Sequence, residues 1–234
     1  MMEETSIRLS GDFGCALGTA LKDALMSGLA LESKLPEEIL QLLGMSGRLY
    51  RRLVNNLIGQ IPDARYLEIG SWAGSTASAA TYGNALSITC IDNWSEFVNV
   101  MGVGAPYDTF KRAMALASSE NTDLRVIESD FRAVDYSSIG KFNVYLFDGP
   151  HQYQDQYDGL EMAQPALDGR YIQIVDDWNW PQVRAGTFDA LAKIGDIICS
   201  IEVRTTQDDT HPSRAVNENS EWHNGYLFAV MQKH

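Results

Sequence analysis

Short apolar runs alternate with longer stretches of helical periodicity along the chain from about residue 65 onward. This alternation predicts strands of a parallel sheet that helices cover on both faces. The predicted parallel strands are residues 65–69, 86–91, 124–128, 142–147 and 171–175.

Two further strand-like runs, residues 197–204 and 226–232, close the chain. The segment between them, residues 205–224, is polar and has no helical pattern. A polar connection predicts a hairpin, so we expect the last strand to run antiparallel to its neighbours. The predicted fold is therefore α/β, a Rossmann-like seven-stranded and mostly parallel sheet with its last strand antiparallel.

Residues 1–60 carry helical periodicity. Leu17, Leu21, Leu25 and Leu29 repeat every four positions, and residues 36–43 and 48–58 show similar apolar stripes. We expect a helical N-terminal extension over residues 1–60 and a Rossmann-like domain over residues 61–234. The extension could cover a ligand cleft or pair two subunits, and the pattern does not separate these uses.

Residues 66–76 combine a strand, a glycine-containing turn and the start of a helix. Glycines such as Gly70 and Gly74 allow a ligand to approach the backbone at such a turn. Asp92 follows Glu68 by 24 positions, close to the spacing at which Rossmann-type sites hold an acid for ribose hydroxyls. The stretch predicts a nucleotide site, although the glycines could also only end the strand and Asp92 could cap a helix.

Polar and aromatic residues follow the next strand ends in the same way. Asn93 and Trp94 offer an amide and a flat apolar face beside a nucleoside, and Asp130 and Phe131 could line an adenine pocket.

Three carboxylates follow two strands that we expect to be neighbours, namely Asp148 after one and Asp176 and Asp177 after the other. Neighbouring strands lie about 4.8 Å apart, so these like charges would be crowded together. A divalent cation held by oxygens would relieve the repulsion, and Mg²⁺ suits such ligands. Alternatively, these acids only cap turns.

His151 follows Asp148 by three positions, and an imidazole suits a general base at neutral pH. We assign no role to His211, His223 or His234.

The amino-acid composition limits the kinds of partner that the protein can be expected to bind. A formal net charge of −13 disfavours nucleic acid or an anionic membrane as the main partner. Three scattered cysteines suggest neither a disulfide framework nor a zinc site. The acidic start and the charges within the apolar segment 13–31 predict no signal peptide and no membrane span. We expect a cytoplasmic protein with a small-molecule partner.

With these residues in view, residues 61–234 resemble the class I S-adenosylmethionine (SAM)-dependent methyltransferases. The family's first motif appears as Glu68-Ile69-Gly70 with Gly74, although Trp72 stands where many members have another glycine. Residues 148–153, Asp-Gly-Pro-His-Gln-Tyr, look like the signature of a subgroup that includes metal-dependent sugar O-methyltransferases of the macrocin and mycinamicin type.

The resemblance implies SAM as methyl donor, Mg²⁺ or another divalent cation, a small hydroxylated acceptor such as a sugar with a vicinal diol, and a homo-oligomer. It places the metal on Asp148, Asp176 and Asp177, with His151 as base. The donor site implied by the motif and its neighbours comprises Glu68, Gly70, Ser71, Gly74, Ser75, Asp92, Asn93, Trp94, Asp130 and Phe131.

Three alternatives stay open. A catechol or phenol O-methyltransferase would share the metal geometry. A nicotinamide-dependent oxidoreductase would share the first strand and the ribose acid, but the glycine spacing is not GxGxxG and no Tyr-x-x-x-Lys pair is present. A non-catalytic binding module would keep only the cofactor site.

Overall fold

One eight-stranded sheet organises the protein. The computed structural model describes residues 5–100, 102, 104–211 and 221–234. Its strands run in the order β1-β7-β8-β6-β5-β2-β3-β4. The strands are β1 (Ser6–Gly11), β2 (Ala64–Ile69), β3 (Leu86–Asp92), β4 (Thr122–Glu128), β5 (Phe142–Phe147), β6 (Leu167–Val175), β7 (Gly195–Arg204) and β8 (Tyr226–Lys233).

The direction of the strands confirms the mostly parallel, Rossmann-like prediction. Strands β2 to β6 pair in parallel with one another. Strand β8 lies antiparallel between β6 and β7, as the polar connection before it predicted. That predicted connection, residues 205–224, lies partly outside the described residues.

The predicted strand count of seven was wrong, because β1 adds an eighth strand inside the segment predicted to be only helical. Strand β1 pairs antiparallel with β7, from Ser6 opposite Arg204 to Gly11 opposite Cys199. Its two apolar residues, Ile7 and Leu9, are not fully buried. The strand is stabilised by a ladder to a distant part of the chain, which local periodicity does not reveal.

Helices cover both faces of the sheet, and the sheet separates the two larger hydrophobic cores. Strand residues alternate between the faces, so Tyr66 enters one core and Leu67 the other. Helices α1, α3, α4 and α5 contribute to the first core, and α6 and α7 to the second. The helices are α1 (Ala16–Leu29), α2 (Glu37–Leu40), α3 (Arg48–Gln60), α4 (Ser75–Thr81), α5 (Pro106–Ala117), α6 (Tyr153–Met162) and α7 (Pro181–Ile194).

Helix α3 attaches the N-terminal segment firmly to the sheet. Its leucine stripe, Leu49, Leu53 and Leu57, is buried as predicted. The ring of Tyr50 stacks on Tyr226 of β8, with ring centroids 3.7 Å apart. The N-terminal helices therefore share one core with the sheet.

Strand β2 marks the point where the chain changes direction across the sheet. It lies between β3 and β5, and the chain winds outward from it to both sides. In open α/β sheets, ligands bind outside the carboxyl ends of the strands at such a switch point. None of the helices in the described ranges is long and apolar enough to cross a membrane.

Candidate active site

A cavity of about 650 Å³ opens at the carboxyl ends of β2, β3, β5 and β6. This volume is within the range of small-molecule and cofactor sites. The cavity brings together most of the residues predicted from the sequence, although they come from five separate stretches of the chain. The predicted residues that line it are Glu68, Gly70, Ser71, Ser75, Asp92, Asn93, Asp130, Phe131, Asp148, His151, Asp176 and Asp177.

Gly70 allows the ends of β2 and β5 to meet. Its φ is +88°, and a Cβ atom at this position would lie 1.8 Å from the carbonyl oxygen of Asp148. The amide of Gly70 donates to Ile91, and the amide of Asp148 donates to Ile69, each over 2.9 Å. A side chain at position 70 is therefore excluded both by the backbone conformation and by the neighbouring strand.

Glu68 is a buried acid that lines the cavity and whose carboxylate can accept further hydrogen bonds. The hydroxyl of Tyr66 donates to its Oε2 over 2.7 Å. Its Oε1 has no hydrogen-bond partner among the described residues, and the same holds for the buried hydroxyl of Ser71. Burial raises the pKa of Glu68 to about 7, although the Tyr66 hydroxyl offsets part of the rise. Because both side chains line the cavity, these two atoms are available to bind a ligand.

Asp92 organises the loop that follows β2. Its two carboxylate oxygens accept hydrogen bonds from the backbone amides of Trp72 and Trp94, over 2.8 and 2.7 Å. Trp72 has a φ of +38°, so the residue that replaces a motif glycine still adopts the left-handed conformation. Each carboxylate oxygen retains one lone pair that can accept from a ribose hydroxyl.

Two predicted donor-site residues lie outside the cavity lining. Trp94 is buried against Tyr107 and Phe110, and its indole nitrogen donates to the carbonyl of Trp72 over 2.8 Å. Gly74 faces α5, where an added Cβ would lie 3.0 Å from the ring of Phe110. Both residues pack between the loop and α5 instead of facing the cavity.

Asp130 and Phe131 form the wall beside β4. The carboxylate of Asp130 accepts from the amide of Arg132 over 2.8 Å, which caps a short 3₁₀ turn. The turn holds Phe131 edge-on against Phe147, with centroids 5.4 Å apart. An aromatic face and a carboxylate are thus presented together, which suits a nucleobase and its amino group.

The acidic cluster lies at the ends of β5 and β6, which are neighbours as predicted. Burial and the charges of Asp176 and Asp177 raise the pKa of Asp148 well above its ordinary value. Burial, together with the charge of Asp177, also raises the pKa of Asp176. Asp177 behaves differently: burial acts to raise its pKa, but the hydrogen bond from His151 outweighs this and the pKa is lowered.

His151 and Asp177 form a hydrogen-bonded pair at the cavity wall. Nε2 of His151 lies 2.9 Å from Oδ2 of Asp177. The side-chain amide of Asn224 donates to Oδ1 of the same carboxylate over 2.7 Å. Burial alone would lower the pKa of His151, but the neighbouring carboxylates outweigh it and the pKa is raised. The imidazole also packs edge-on against Trp180, with centroids 5.3 Å apart.

The acidic cluster has the donor chemistry of a magnesium site but not its arrangement. Within the described ranges, no group of three or more His, Cys, Asp or Glu side chains is arranged to hold a metal ion. Both oxygens of Asp177 already have partners in His151 and Asn224. The structure therefore does not support the predicted metal site at these three residues.

Several cavity residues were missed from the sequence. His211 and His223, to which no role was assigned, line the cavity with Trp180. The rings of His211 and His223 lie 5.5 Å apart, and burial lowers the pKa of His223 to about 4. Met45 and Ser46, between α2 and α3, also line the cavity. These residues lie far from the motifs along the chain, and no local signal connects them.

Proteins of known structure share this fold. Cofactor-bound Rv0187 from MTB is 15% identical, with a TM-score of 0.56 over 92% of this chain and 91% of its own. The O-methyltransferase TomG from Streptomyces achromogenes, solved with SAM, is 16% identical, with a TM-score of 0.53 over 91% of this chain and 89% of its own. TrmN from Thermus thermophilus is 15% identical over 84% of this chain, with a TM-score of 0.55, and the chain spans 52% of TrmN's length.

The protein therefore shares the Rossmann-like fold of TomG, an O-methyltransferase that was solved with SAM. No protein-family model and no curated protein matches the sequence. At these low identities the likeness concerns the fold, and the activity has to be argued from the cavity itself.

Proposed function

We propose that the protein is a SAM-dependent methyltransferase that methylates a hydroxyl group of a small molecule. The observation that carries the proposal is that a single cavity is lined both by polar residues suited to a nucleoside cofactor and by the His151–Asp177 pair. TomG, an O-methyltransferase with this fold that was solved with SAM, supports the choice of donor.

The donor fits the residues at the ends of β2, β3 and β4. Asp92 would accept from the ribose hydroxyls, and Asp130 and Phe131 would contact the adenine. Glu68 and Ser71 would bind the amino-acid end through the two atoms that have no partner among the described residues. Bound SAM would supply a methyl group already activated by its positive sulfonium.

His151 would act as the general base on the acceptor. Asp177 holds the imidazole through Nε2 and stabilises the charge that it gains when it takes the hydroxyl proton. The deprotonated oxygen would be held in line with the methyl group that SAM supplies, with S-adenosylhomocysteine as the leaving group. Because the donor is already activated, correct positioning supplies much of the rate.

The acceptor that we propose is a saccharide or glycosylated metabolite with a vicinal diol. Carboxylates at the cavity rim can accept from its hydroxyls, and Trp180 offers a face on which a sugar can stack. The net charge of −13 favours such a neutral molecule over nucleic acid. A phenol or catechol is the second candidate, because Trp180, His151, His211 and His223 also form an aromatic wall.

Metal assistance is a separate part of the proposal. The all-oxygen donors Asp148, Asp176 and Asp177 support it through their chemistry, and a divalent cation there would lower the pKa of an acceptor hydroxyl. The described arrangement of these side chains does not support it. No step above depends on a metal.

The test is calorimetric titration of the purified protein with S-adenosylhomocysteine, with Mg²⁺ and with EDTA, and with NADH as the competing ligand. We expect micromolar binding of S-adenosylhomocysteine and none of NADH. Failure to bind S-adenosylhomocysteine under both conditions would exclude the methyltransferase. Turnover of diol and catechol acceptors with SAM, measured with and without EDTA, then decides the acceptor class and the metal. Gel filtration with light scattering tests the proposed homo-oligomer.

A further inference from the structure

The segment between α2 and α3 closes one end of the cavity through a buried arginine. Arg51 of α3 is fully buried. Its Nη1 donates to the carbonyls of Leu40 and Leu42, over 3.0 and 2.7 Å. Its Nε donates to the hydroxyl of Ser46 over 2.9 Å. One guanidinium thus fixes the course of the segment that carries Ser46 into the cavity.

Ser46 connects this segment to the start of α4. Its Oγ lies 3.0 Å from Oγ of Ser75, and both side chains are buried and line the cavity. The approach is close, since a Cβ atom on Gly44 would lie 1.9 Å from Oγ of Ser75. Because Ser46 accepts from Arg51, its own hydrogen is directed to Ser75 or into the cavity.

Four buried hydroxyl side chains from this segment, from the turn after β2 and from the start of α4 line the cavity. They are Ser46, Ser71, Ser75 and Thr76, each less than 9% exposed. The hydroxyl of Ser71 has no partner among the described residues. Glu68 lies beside Ser71 and would pair with the ammonium group of the same amino-acid end, whereas the carboxylates of Asp92, Asp130 and Asp148 would repel an anion. Hydroxyl donors backed by a buried guanidinium instead favour an anion here.

We propose that Ser46, positioned by Arg51, forms with Ser71, Ser75 and Thr76 the subsite for the carboxylate of the cofactor's amino-acid end. This inference rests on the proposed function, and it assigns a binding role to the N-terminal segment. Ser46 contacts the carboxylate, whereas Arg51 acts through Ser46 and through its charge.

The experiment compares two ligands that differ at this end. S-Adenosylhomocysteine carries the amino-acid group, and 5′-methylthioadenosine keeps the adenosine and sulfur but lacks it. Calorimetry would measure both dissociation constants for the wild type and for Ser46→Ala, Arg51→Met and Arg52→Met. Arg52 is the matched control, since it follows Arg51 on α3 but donates to Ser33, away from the cavity.

We expect Ser46→Ala and Arg51→Met to weaken the binding of S-adenosylhomocysteine about tenfold. This is the usual effect of removing a hydrogen bond to a charged group. Binding of 5′-methylthioadenosine should stay within about twofold, and Arg52→Met should change neither constant. An equal loss for both ligands would show that the segment only supports the fold, and unchanged S-adenosylhomocysteine binding would also overturn the inference.

Two further outcomes are distinguishable. If circular dichroism shows that Arg51→Met does not fold, Ser46→Ala alone decides, because it removes one small hydroxyl and leaves the guanidinium and its carbonyl contacts in place. If the wild type does not bind S-adenosylhomocysteine, the proposed function fails and this inference with it. If the wild type binds S-adenosylhomocysteine but the variants lose no more affinity for it than for 5′-methylthioadenosine, only this inference is contradicted and the proposed function stands.

Discussion

The two ends of the cavity are built in different ways. At the end near β2 and β3, backbone geometry provides the site: Gly70 allows two strand ends to meet, and Asp92 holds two loop amides. At the end near β5 and β6, side chains provide it, through the His151–Asp177 pair and the amide of Asn224. The backbone elements of the first end come mainly from residues 68–94, whereas the second end joins His151 and Asp177 to the distant Asn224.

This difference separates binding from chemistry. A site made from backbone resists side-chain substitution but depends strongly on each glycine. A site made from side chains can lose its chemistry without losing its shape. Variants at the two ends should therefore affect different measurements.

The largest effect is expected at the side-chain end. His151→Gln should reduce kcat by about 10² to 10⁴, because it removes the general base. The dissociation constant of S-adenosylhomocysteine should change less than about twofold, since its proposed contacts lie at the other end. Steady-state kinetics and calorimetry measure the two quantities.

His234→Gln is the matched control for that variant, because His234 has a 60% exposed side chain and lies 3.9 Å from Asp196, away from the cavity. Full activity in His151→Gln would show that another group takes the proton.

Gly70→Ala should damage both ends together, because the added methyl meets the carbonyl of Asp148 across the strand gap. We expect a loss of roughly 3 kcal/mol in the free energy of unfolding, from strain and displacement of the strand ends. Urea unfolding measures this loss, and calorimetry should show weaker S-adenosylhomocysteine binding.

Gly140→Ala controls for backbone strain alone, since Gly140 has a φ of +108° and no atom within 4 Å of an added Cβ. Equal losses in the two variants would mean that the close approach at Gly70 is unimportant.

Glu68 should make donor binding depend on pH. Its pKa of about 7 keeps it mostly protonated at pH 6, and a bound ammonium group favours the charged form. The affinity for S-adenosylhomocysteine should therefore rise about tenfold from pH 6 to pH 8. Calorimetry across this range measures the change, and a Glu68→Gln variant that keeps the same pH dependence would contradict it.

The same group affects the stability of the ligand-free protein with a defined sign. Its folded pKa is raised, so its contribution is fully present below the unfolded value of 4.5 and is lost as the pH rises through about 7. Urea unfolding of the wild type should show this decline, and Glu68→Gln should reduce it.

The sequence predicted the β2 end of the cavity well because its determinants are local. Periodicity located the strands, and the acids at strand ends placed Glu68, Asp92 and Asp148 at one edge of the sheet. Local signals also misled at this end. Trp94 follows Asp92 by two positions, yet it packs against α5 rather than facing the cavity.

The remaining parts depend on contacts between distant segments. His223 reaches the cavity because β8 lies beside β6, and Ser46 reaches it because Arg51 binds the carbonyls before it. Neither relation has a period or a spacing that a single sequence shows. The metal site stays a prediction that the described arrangement does not support, because the side chain of Asn224, 47 positions from Asp177 along the chain, donates to the carboxylate that was predicted to bind the ion.

The pairing of β1 with β7 has a consequence for the order in which the parts of the sheet fold. Its ladder joins Ser6 to Arg204, almost the full length of the chain. Contacts between such distant positions form slowly, because a large loop must close first. Strand β1 can therefore join the sheet only after β7 is in place, and hydrogen exchange during refolding should protect the amides of β1 late.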